Sequence, residues 1–347
     1  MAAGDGGWGW RLGMSEPWVA ESVDELVRGA TGRRAVRSSD AKSGALFETL
    51  TMGGRACFLK VLSADSDWIM RCTGNRSHWE FTVWRAGLYQ DVPAVIDPAM
   101  IGMALDETQP GRPRLAMLMH DYSAYLVPAG DAPIATTQHD RFLTHLAAMH
   151  AHQEGWQDDL GLSSMEQRLL FFAPATIAPE LVREPVPGPL RVAAHGWARL
   201  PLLDPNLHAL VTGVHADPGK LAGLIAETPQ TFVAGDWKLG NLGSRPDGTS
   251  IVLDWAYPGA APPCWELAWY LALNRARLPE PKQHAIARYR AALEAAGCST
   301  AGWWQRQLDL CLIGILATFA WEKAVGDPDE LAWWSATAQE AASRCGM

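Results

Sequence analysis

A short polar segment in the second half of the chain carries residue types that could transfer a phosphoryl group. Asp236 is followed by Lys238 and Asn241, and Asp254 ends the apolar run 251–253. In phosphoryl transfer from ATP, one carboxylate receives the proton of the acceptor hydroxyl, while an amide and a second carboxylate hold the magnesium ion. A cation nearby offsets the charge on the phosphoryl group. These residue types are also common in turns, so the spacing alone leaves a plain polar turn as an alternative.

Upstream, one Lys lies within an apolar strand pattern. Lys60 interrupts the run 55–62, and the run 45–52 joins it through Gly53-Gly54, a two-residue hairpin signal. A Lys in such a strand is either a gatekeeper on an exposed edge or a buried group with a partner.

The carboxylate that could partner this Lys is Glu80. The run 77–85 predicts a helix with Ser77 as its N-cap, and Glu80 then stands where a capping box places its acid. Glu80 is therefore either that cap or the carboxylate that orients Lys60 toward the α- and β-phosphates. Because the Asp/Asn/Asp set follows downstream in the chain order of a kinase site, the second interpretation is favoured.

Together these motifs resemble the aminoglycoside phosphotransferase and choline kinase superfamily, whose members are small-molecule kinases with a protein-kinase-like fold. The resemblance runs from about Arg33 to about Leu278. Segment 115–122 is similar to the strand that leads into the adenine-holding hinge, and segment 142–151 to a family helix that ends in Leu-His-Ala. Segment 262–268 resembles the stretch after the metal-binding Asp.

The pattern and the resemblance together predict an α+β, protein-kinase-like fold of two lobes. The small lobe is expected to be an antiparallel β-sheet with one helix, and the large lobe to be mainly helical. We predict an N-terminal extension with a short helix over residues 1–32, a nucleotide-binding lobe over 33–120, and a lobe with the catalytic loop and acceptor site over 121–347. In this arrangement the loop 38–45 covers the phosphates, although a plain hairpin turn is the alternative.

The resemblance also implies a role for each site residue. Asp236 is expected to deprotonate the acceptor hydroxyl, and Lys238 to approach the γ-phosphate or the acceptor. Asn241 and Asp254 are expected to hold Mg²⁺. The residues expected to bind ATP, the phosphoryl donor, are Lys60, Glu80, Ser43, Gly44, Met119, His120 and Asp121. The residues expected to contact the acceptor are Trp237, Trp265, Glu266, Asp158 and Asp159.

Three positions depart from the family pattern. Ala234 stands where the family's catalytic loop begins with His, Lys238 replaces a frequent His, and Glu266 replaces the usual Asp. Two roles for Glu266 stay open: it receives an ammonium group of the acceptor, or it braces the catalytic loop from a helix start.

The composition of the chain indicates which binding partners and which compartment to expect. The chain has 347 residues and a formal net charge of −9, which disfavours nucleic acid and is compatible with cationic substrates. The six Cys form no C-x-x-C pair, which is typical of reduced thiols in the cytoplasm. We expect no signal peptide in Met1–Gly13, no membrane span and a cytoplasmic protein. The sequence leaves the oligomeric state open.

We therefore predict a phosphotransferase that moves the γ-phosphoryl group of ATP to a hydroxyl of an aminoglycoside or a related aminocyclitol or amino sugar. A neutral sugar, a choline-like alcohol or a nucleoside antibiotic is the alternative acceptor. A nucleotide-sensing pseudokinase is the alternative of another class, and a protein kinase is disfavoured because segment 258–265 is too short and proline-rich for an activation segment.

Overall fold

The computed structural model describes residues 17–36 and 43–347. The expectations for Met1–Gly13 and for residues 38–42 of the phosphate loop lie outside the described residues. The chain divides into two compact units. The first contains the described residues up to Arg71 with Asn75–Leu126 and Gly243–Leu253, and the second contains Cys72–Gly74, Val127–Leu242 and Asp254–Met347.

The secondary structure alternates strands and short helices in the first half of the chain and is mainly helical afterwards. The strands are β1 (Val19–Ala20), β2 (Thr31–Val36), β3 (Leu46–Met52), β4 (Arg55–Leu62), β5 (Ile96–Asp97), β6 (Met100–Asp106), β7 (Arg114–His120), β8 (Thr231–Val233), β9 (Leu242–Ser244), β10 (Ser250–Val252) and β11 (Gly259–Ala261). The helices are α1 (Val23–Leu26), α2 (Trp68–Thr73), α3 (Trp79–Arg85), α4 (Thr136–His152), α5 (Met165–Leu170), α6 (Pro174–Leu181), α7 (Gly188–Leu203), α8 (Pro205–Ala216), α9 (Pro218–Ala226), α10 (Pro263–Leu273), α11 (Lys282–Ala295), α12 (Trp304–Val325) and α13 (Pro328–Cys345).

The first unit is built on a six-stranded sheet with the strand order β1-β6-β7-β4-β3-β2. Its pairs are antiparallel except β1 with β6, which are parallel. The predicted hairpin is confirmed: β3 and β4 close with Met52 opposite Arg55, and Gly53 and Gly54 both have positive φ, at 53° and 74°. Two successive residues of positive φ match the twist of the strands, which is why glycine suits both.

The helix that carries Glu80 begins differently from the prediction. Helix α3 starts at Trp79, and the residue before it, His78, has φ of 54° and makes no side-chain cap. The Oδ1 atom of Asn75 accepts the Trp79 N–H at 2.8 Å instead. The prediction of Ser77 as N-cap is therefore wrong, because a side chain from the preceding turn takes the cap's place.

The second unit is mainly helical and surrounds a small antiparallel pair, β8 with β11. Segment 142–151, which the resemblance predicts to be helical, lies within α4, and helices α10–α13 follow the candidate catalytic segment. Helix α12 is buried along most of its length and packs against α7, α10 and α13. Among the described residues, no helix combines the length and the apolar composition that crossing a bilayer requires.

The predicted fold class is confirmed: the chain is an α+β protein with a smaller, predominantly antiparallel sheet unit and a larger helical unit. Helix α1 lies in the range 1–32, where a short helix was predicted. Beside the sheet, where one helix was expected, the first unit contains α3 and most of α2. It also takes in Gly243–Leu253, which holds most of the β9–β10 hairpin.

Candidate active site

The loop after β8 gathers polar side chains around the Asp236 carboxylate. Lys238 Nζ lies 2.6 Å from Asp236 Oδ2, and Asn241 Nδ2 donates to the same oxygen at 2.8 Å. The indole N–H of Trp269 donates to Oδ1 at 2.9 Å. Asp236 is buried, so these three donors replace the water that would otherwise solvate its charge. The structure therefore brings together three residues that the sequence predicted for the site.

The backbone of this loop is held in a conformation that requires glycine. Gly235 has φ of 90°, and a Cβ at this position would lie 2.0 Å from the carbonyl oxygen of Tyr257. The Lys238 N–H and Asn241 Nδ2 donate to the Asp236 carbonyl oxygen at 2.9 and 3.1 Å. These contacts form a tight turn that aims the Asp236 side chain inward.

Glu266 braces the loop and does not face an acceptor. It is fully buried at the start of α10, where Oε1 accepts the Gly235 N–H at 2.6 Å and Oε2 lies 2.9 Å from His150 Nε2. Because a carboxylate only accepts hydrogen bonds, Nε2 carries the proton in this pair. Burial rules out the ammonium-receiving role in this structure, and the bracing alternative is the one supported.

The two tryptophans expected to contact an acceptor are core residues. Trp237 and Trp265 each have 0% relative exposure. An indole can stack on a sugar or attract an ammonium group only where the ligand can reach its face. The expectation that either contacts the acceptor is therefore wrong for this structure, because both are packed inside the helical unit.

Two residues that hold the loop were missed from the sequence. The indole N–H of Trp269 donates to the Asp236 carboxylate. Asn274, at the C-cap of α10, accepts the Leu239 N–H at 2.9 Å through Oδ1 and donates to the Tyr270 carbonyl at 2.8 Å. The only available signal was position: both lie on or just after the apolar helix that follows the catalytic segment.

Electrostatics sets Asp236 apart from an ordinary carboxylate. Burial raises its pKa above the usual value, the charge of Lys238 lowers it, and the charge of Asp254 raises it, with burial prevailing. Asp254 has a φ of 55°, a region that residues other than glycine rarely adopt and that is common at functional sites.

Two side chains near Asp236 offer oxygen atoms of the type that bind a hard cation such as Mg²⁺. The amide nitrogen of Asn241 donates to Asp236, so Oδ1 is the atom that this side chain could offer to a cation. This oxygen and the Asp254 carboxylate are the ligand types that Mg²⁺ prefers, with water and phosphate oxygens completing the shell. Across residues 17–36 and 43–347, no cluster of three or more His, Cys, Asp or Glu could hold a metal, which excludes an all-protein cage of that kind there.

A buried arginine lies in the same unit as this network. Within the described part of the chain, the three guanidinium nitrogens of Arg168 have no hydrogen-bond partner, and the side chain is buried. Burial lowers its pKa to about 10, while the charges of Glu266 and Asp158 act to raise it. Arg168 thus stays charged at neutral pH and offsets the buried charge of Glu266.

In the first unit, Lys60 is buried in the sheet. It lies on β4, opposite Phe47 of β3 and Met117 of β7, so it is not on an edge strand. Its charge acts on the buried Asp67 at the start of α2, where burial raises the pKa of Asp67 and Lys60 lowers it. Asp67 is a second carboxylate near Lys60 that the sequence did not suggest.

Glu80 is buried in α3 and is held by Asn75. The Nδ2 atom of Asn75 donates to Glu80 Oε2 at 3.0 Å while Oδ1 of the same amide caps the helix. Glu80 therefore does not act as the acid of a Ser77 capping box. Its pairing with Lys60 stays a prediction.

The other residues expected to bind nucleotide lie at the ends of strands in the first unit. Gly44 has φ of 99° and packs against the Ser66 carbonyl, while Ser43 hydrogen-bonds Asp67. Met119 and His120 end β7, and the Asp121 N–H donates to the Ala56 carbonyl at 3.2 Å. All five positions belong to the first unit, and their contact with a nucleotide stays a prediction.

The last two predicted acceptor residues are at the surface. Asp158 and Asp159 are both exposed, and Asp158 accepts the N–H groups of Leu160 and Leu162 at 2.9 and 2.7 Å. Their contact with an acceptor stays a prediction.

Comparison with known proteins gives structural matches only. No family model and no curated protein matches the chain. A microcompartment-associated aminopropanol kinase is 14% identical, with 90% of each chain covered and a TM-score of 0.49. A putative aminoglycoside phosphotransferase from Ralstonia eutropha is 13% identical, with 90% of this chain and 92% of that one covered and a TM-score of 0.48. A choline kinase from Streptococcus pneumoniae is 11% identical, with 92% and 95% covered and a TM-score of 0.47. Since all three TM-scores are below 0.5, the functional argument depends on this chain's own residues.

Proposed function

We propose that the chain is an ATP-dependent small-molecule kinase that transfers the γ-phosphoryl group to a hydroxyl. The observation that carries this proposal is the buried Asp236 carboxylate, which is held by Lys238, Asn241 and Trp269 within the field of Asp254. A turn between strands needs none of this. A phosphotransferase does need a carboxylate held in place beside a cation, because its catalysis is mostly positioning and charge stabilisation.

In the proposed reaction, the acceptor oxygen forms a bond to the γ-phosphorus while the bond from phosphorus to the bridging oxygen of ADP breaks. The hydroxyl proton passes to Asp236, whose burial favours the protonated form. Lys238 is half-exposed and keeps a charge beside Asp236, where it can offset negative charge on the transferring group. Trp269 and Asn241 keep the carboxylate from rotating away.

Mg²⁺ is the implied cofactor, with Asn241 Oδ1 and the Asp254 carboxylate as its protein ligands. When bound, it neutralises phosphate charge and orients the γ-phosphoryl group. The nucleotide itself is assigned to Lys60, braced by Glu80, with Ser43 and Gly44 near the phosphates. The adenine is assigned to the segment Met119–Asp121.

The net charge of the chain favours one class of acceptor. The chain carries a net −9, which favours a cationic acceptor such as an aminoglycoside, an aminocyclitol or an amino sugar. With Glu266 buried, the carboxylates left for this role are Asp158 and Asp159, which are exposed. A neutral sugar, a choline-like alcohol or a nucleoside antibiotic remains the alternative.

A coupled ADP-release assay over panels of aminoglycosides, amino sugars, neutral sugars, choline-like alcohols and nucleosides tests the proposal. We expect acceptor-dependent ADP release that requires Mg²⁺ and occurs with one class. A cationic acceptor further predicts that its KM rises with ionic strength, because salt screens the attraction. Mg²⁺-dependent nucleotide binding without turnover on any panel would favour a pseudokinase, and no nucleotide binding would overturn the proposal.

A further inference from the structure

Three segments of the first unit meet at one carboxylate, Asp97, at the end of β5. The Tyr122 hydroxyl donates to Asp97 Oδ2 at 2.8 Å, and Arg245 Nη1 donates to the same oxygen at 2.9 Å. The Arg245 guanidinium also lies 5.9 Å from the centre of the Tyr122 ring and 3.2 Å from Asp247. We refer to Asp97, Tyr122, Arg245 and Asp247 as the Asp97 cluster.

Each group in the cluster has a defined hydrogen-bonding role. Burial, followed by the hydrogen bond to Asp97, raises the pKa of Tyr122 to about 12, so it is a neutral donor at physiological pH. Asp97 Oδ1 is occupied by the Ala99 N–H at 2.8 Å. Both oxygens of the carboxylate are therefore used, one by its own turn and one by two side chains from other segments.

The segments that the cluster joins carry different parts of the proposed site. Tyr122 directly follows Met119–Asp121, and the ring of His120 lies 5.6 Å from the Tyr122 ring. The His120 N–H donates to the Ala99 carbonyl at 2.8 Å, within the same turn that Asp97 holds. Tyr122 thus connects Asp97 to the segment assigned to the adenine.

Arg245 connects Asp97 to the β9–β10 hairpin. This hairpin begins directly after Asn241, and its second strand leads into Asp254, the two residues assigned to Mg²⁺. Strand β10 also pairs in parallel with β5, with Ile251 opposite Asp97. The hairpin is therefore tied to β5 by backbone and side-chain contacts at the same position.

We propose that the Asp97 cluster positions the adenine-holding segment and the β9–β10 hairpin together, so that loosening this one cluster weakens the saturation by both ATP and Mg²⁺. This inference rests on the proposed function. Asp97, Tyr122 and Arg245 are positioning residues in it and do not touch the reacting atoms. Loosening the cluster raises the ATP and Mg²⁺ concentrations needed for half-maximal rate and leaves kcat at saturation near the wild-type value.

A structural role predicts a different result, and a matched pair elsewhere in the sheet separates the two. The Arg114–Asp106 pair has a 2.7 Å contact and an arginine as exposed as Arg245, at 40% against 38%. Because such partly exposed ion pairs contribute about 1 kcal/mol or less, both Arg245→Met and Arg114→Met should change the melting temperature little. Only the variant in the Asp97 cluster should change nucleotide and metal saturation.

The test measures KM for ATP, the Mg²⁺ concentration at half-maximal rate, kcat and Tm for Arg245→Met, Tyr122→Phe, their double variant and Arg114→Met. For Arg245→Met, we expect both saturation constants to rise about fivefold, the lower end of usual site-to-site coupling. The double variant should show less than the product of the single effects, since both act through Asp97 Oδ2. Unchanged saturation constants in Arg245→Met, or an equal rise in Arg114→Met, would overturn the inference. Failure of the wild-type protein to use Mg-ATP would instead overturn the proposed function.

Discussion

Helix α4 carries two networks of the same composition, one in its first turn and one in its last. In the first, His139 Nδ1 lies 2.9 Å from the Tyr270 hydroxyl, and Nε2 lies 3.0 Å from Glu280 Oε1. In the last, His150 Nδ1 lies 2.6 Å from the Tyr289 hydroxyl, and Nε2 lies 2.9 Å from Glu266 Oε2. Both are Tyr–His–Glu chains between the same helix and its neighbours.

The networks differ in what else the glutamate binds. Glu280 is held by the Arg288 guanidinium, whose hydrogen bonds lower the pKa of Glu280, and it lies near the surface. Glu266 is fully buried and gives its second oxygen to the Gly235 N–H, one residue before Asp236. The His139 network therefore ends on an ion pair near the surface, and the His150 network ends on the backbone of the candidate catalytic loop.

This difference shows that a Tyr–His–Glu network is not by itself evidence of function. Its role depends on what the second carboxylate oxygen of the glutamate binds. The network at His150 reaches the loop backbone through Glu266, next to Ala234, which has no polar side chain of its own with which to brace the loop. The His139 network joins α4 to Tyr270 of α10. Among the described residues, its side chains make no hydrogen bond to the loop.

The largest difference in kcat between the two networks is expected when their glutamates are replaced. In Glu266→Gln, one side chain must still accept from both Gly235 and His150, but an amide has one acceptor oxygen and an NH₂ group that cannot accept. We expect kcat to fall about 10- to 100-fold, the equivalent of losing a hydrogen bond to a charged group. Glu280→Gln should keep kcat within about twofold, as expected for a residue outside the site. Steady-state kinetics below the Tm of both variants checks this. Equal losses in the two variants would break the distinction between the networks.

Replacing the tyrosines should give a smaller difference in kcat, and it distinguishes a loss of stability from a loss of activity. Tyr289→Phe and Tyr270→Phe each leave a buried histidine Nδ1 without its hydroxyl partner, so each should lower the free energy of unfolding by about 1 to 3 kcal/mol. Only Tyr289→Phe should also lower kcat, by a few-fold, because only its histidine supports the loop. Denaturant unfolding and kcat, measured on both variants, test this. A matching fall in kcat for Tyr270→Phe would show that general destabilisation is the cause.

A third histidine on α4, His145, lies between the two networks along the helix. Burial, together with the nearby Arg141 charge, lowers the pKa of His145 to about 4. Below pH 6.5 the unfolded chain takes up a proton at this position that the folded chain does not, so stability falls as the pH drops from about 6.5 to about 4. We expect His145→Gln to remove about 2 kcal/mol of this acid sensitivity. Unfolding free energies at pH 7 and pH 5 measure it, and an unchanged pH dependence would refute the assignment.

Much of the fold and part of the site could be predicted because their signals are local. The Gly53-Gly54 turn and helix α4 follow from neighbouring residues, and both are confirmed. Asp236 and Asn241 lie only five residues apart in one loop, so their closeness was a local signal, and Asn241 does donate to Asp236.

The remainder could not be predicted because it depends on packing between distant elements. Nothing near Trp269 in the chain indicates that its N–H reaches Asp236, and nothing near His150 indicates its contact with Glu266. The same limit explains the errors. Trp237 and Trp265 are amphipathic side chains near the site in sequence, and only their tertiary neighbours place them in the core.

In the proposed reaction, Asp236 acts on the acceptor and not on the nucleotide. Its most direct test compares acceptor-dependent ADP release and Mg-ATP affinity for the wild-type protein, Asp236→Asn and the exposed-residue control Asp131→Asn. We expect Asp236→Asn to lose about 10²-fold or more in turnover, as for removal of a general base, while calorimetry shows Mg-ATP affinity within about twofold of wild type. The control should match wild type in both. Near wild-type turnover of Asp236→Asn on the identified acceptor would show that Asp236 is not the base.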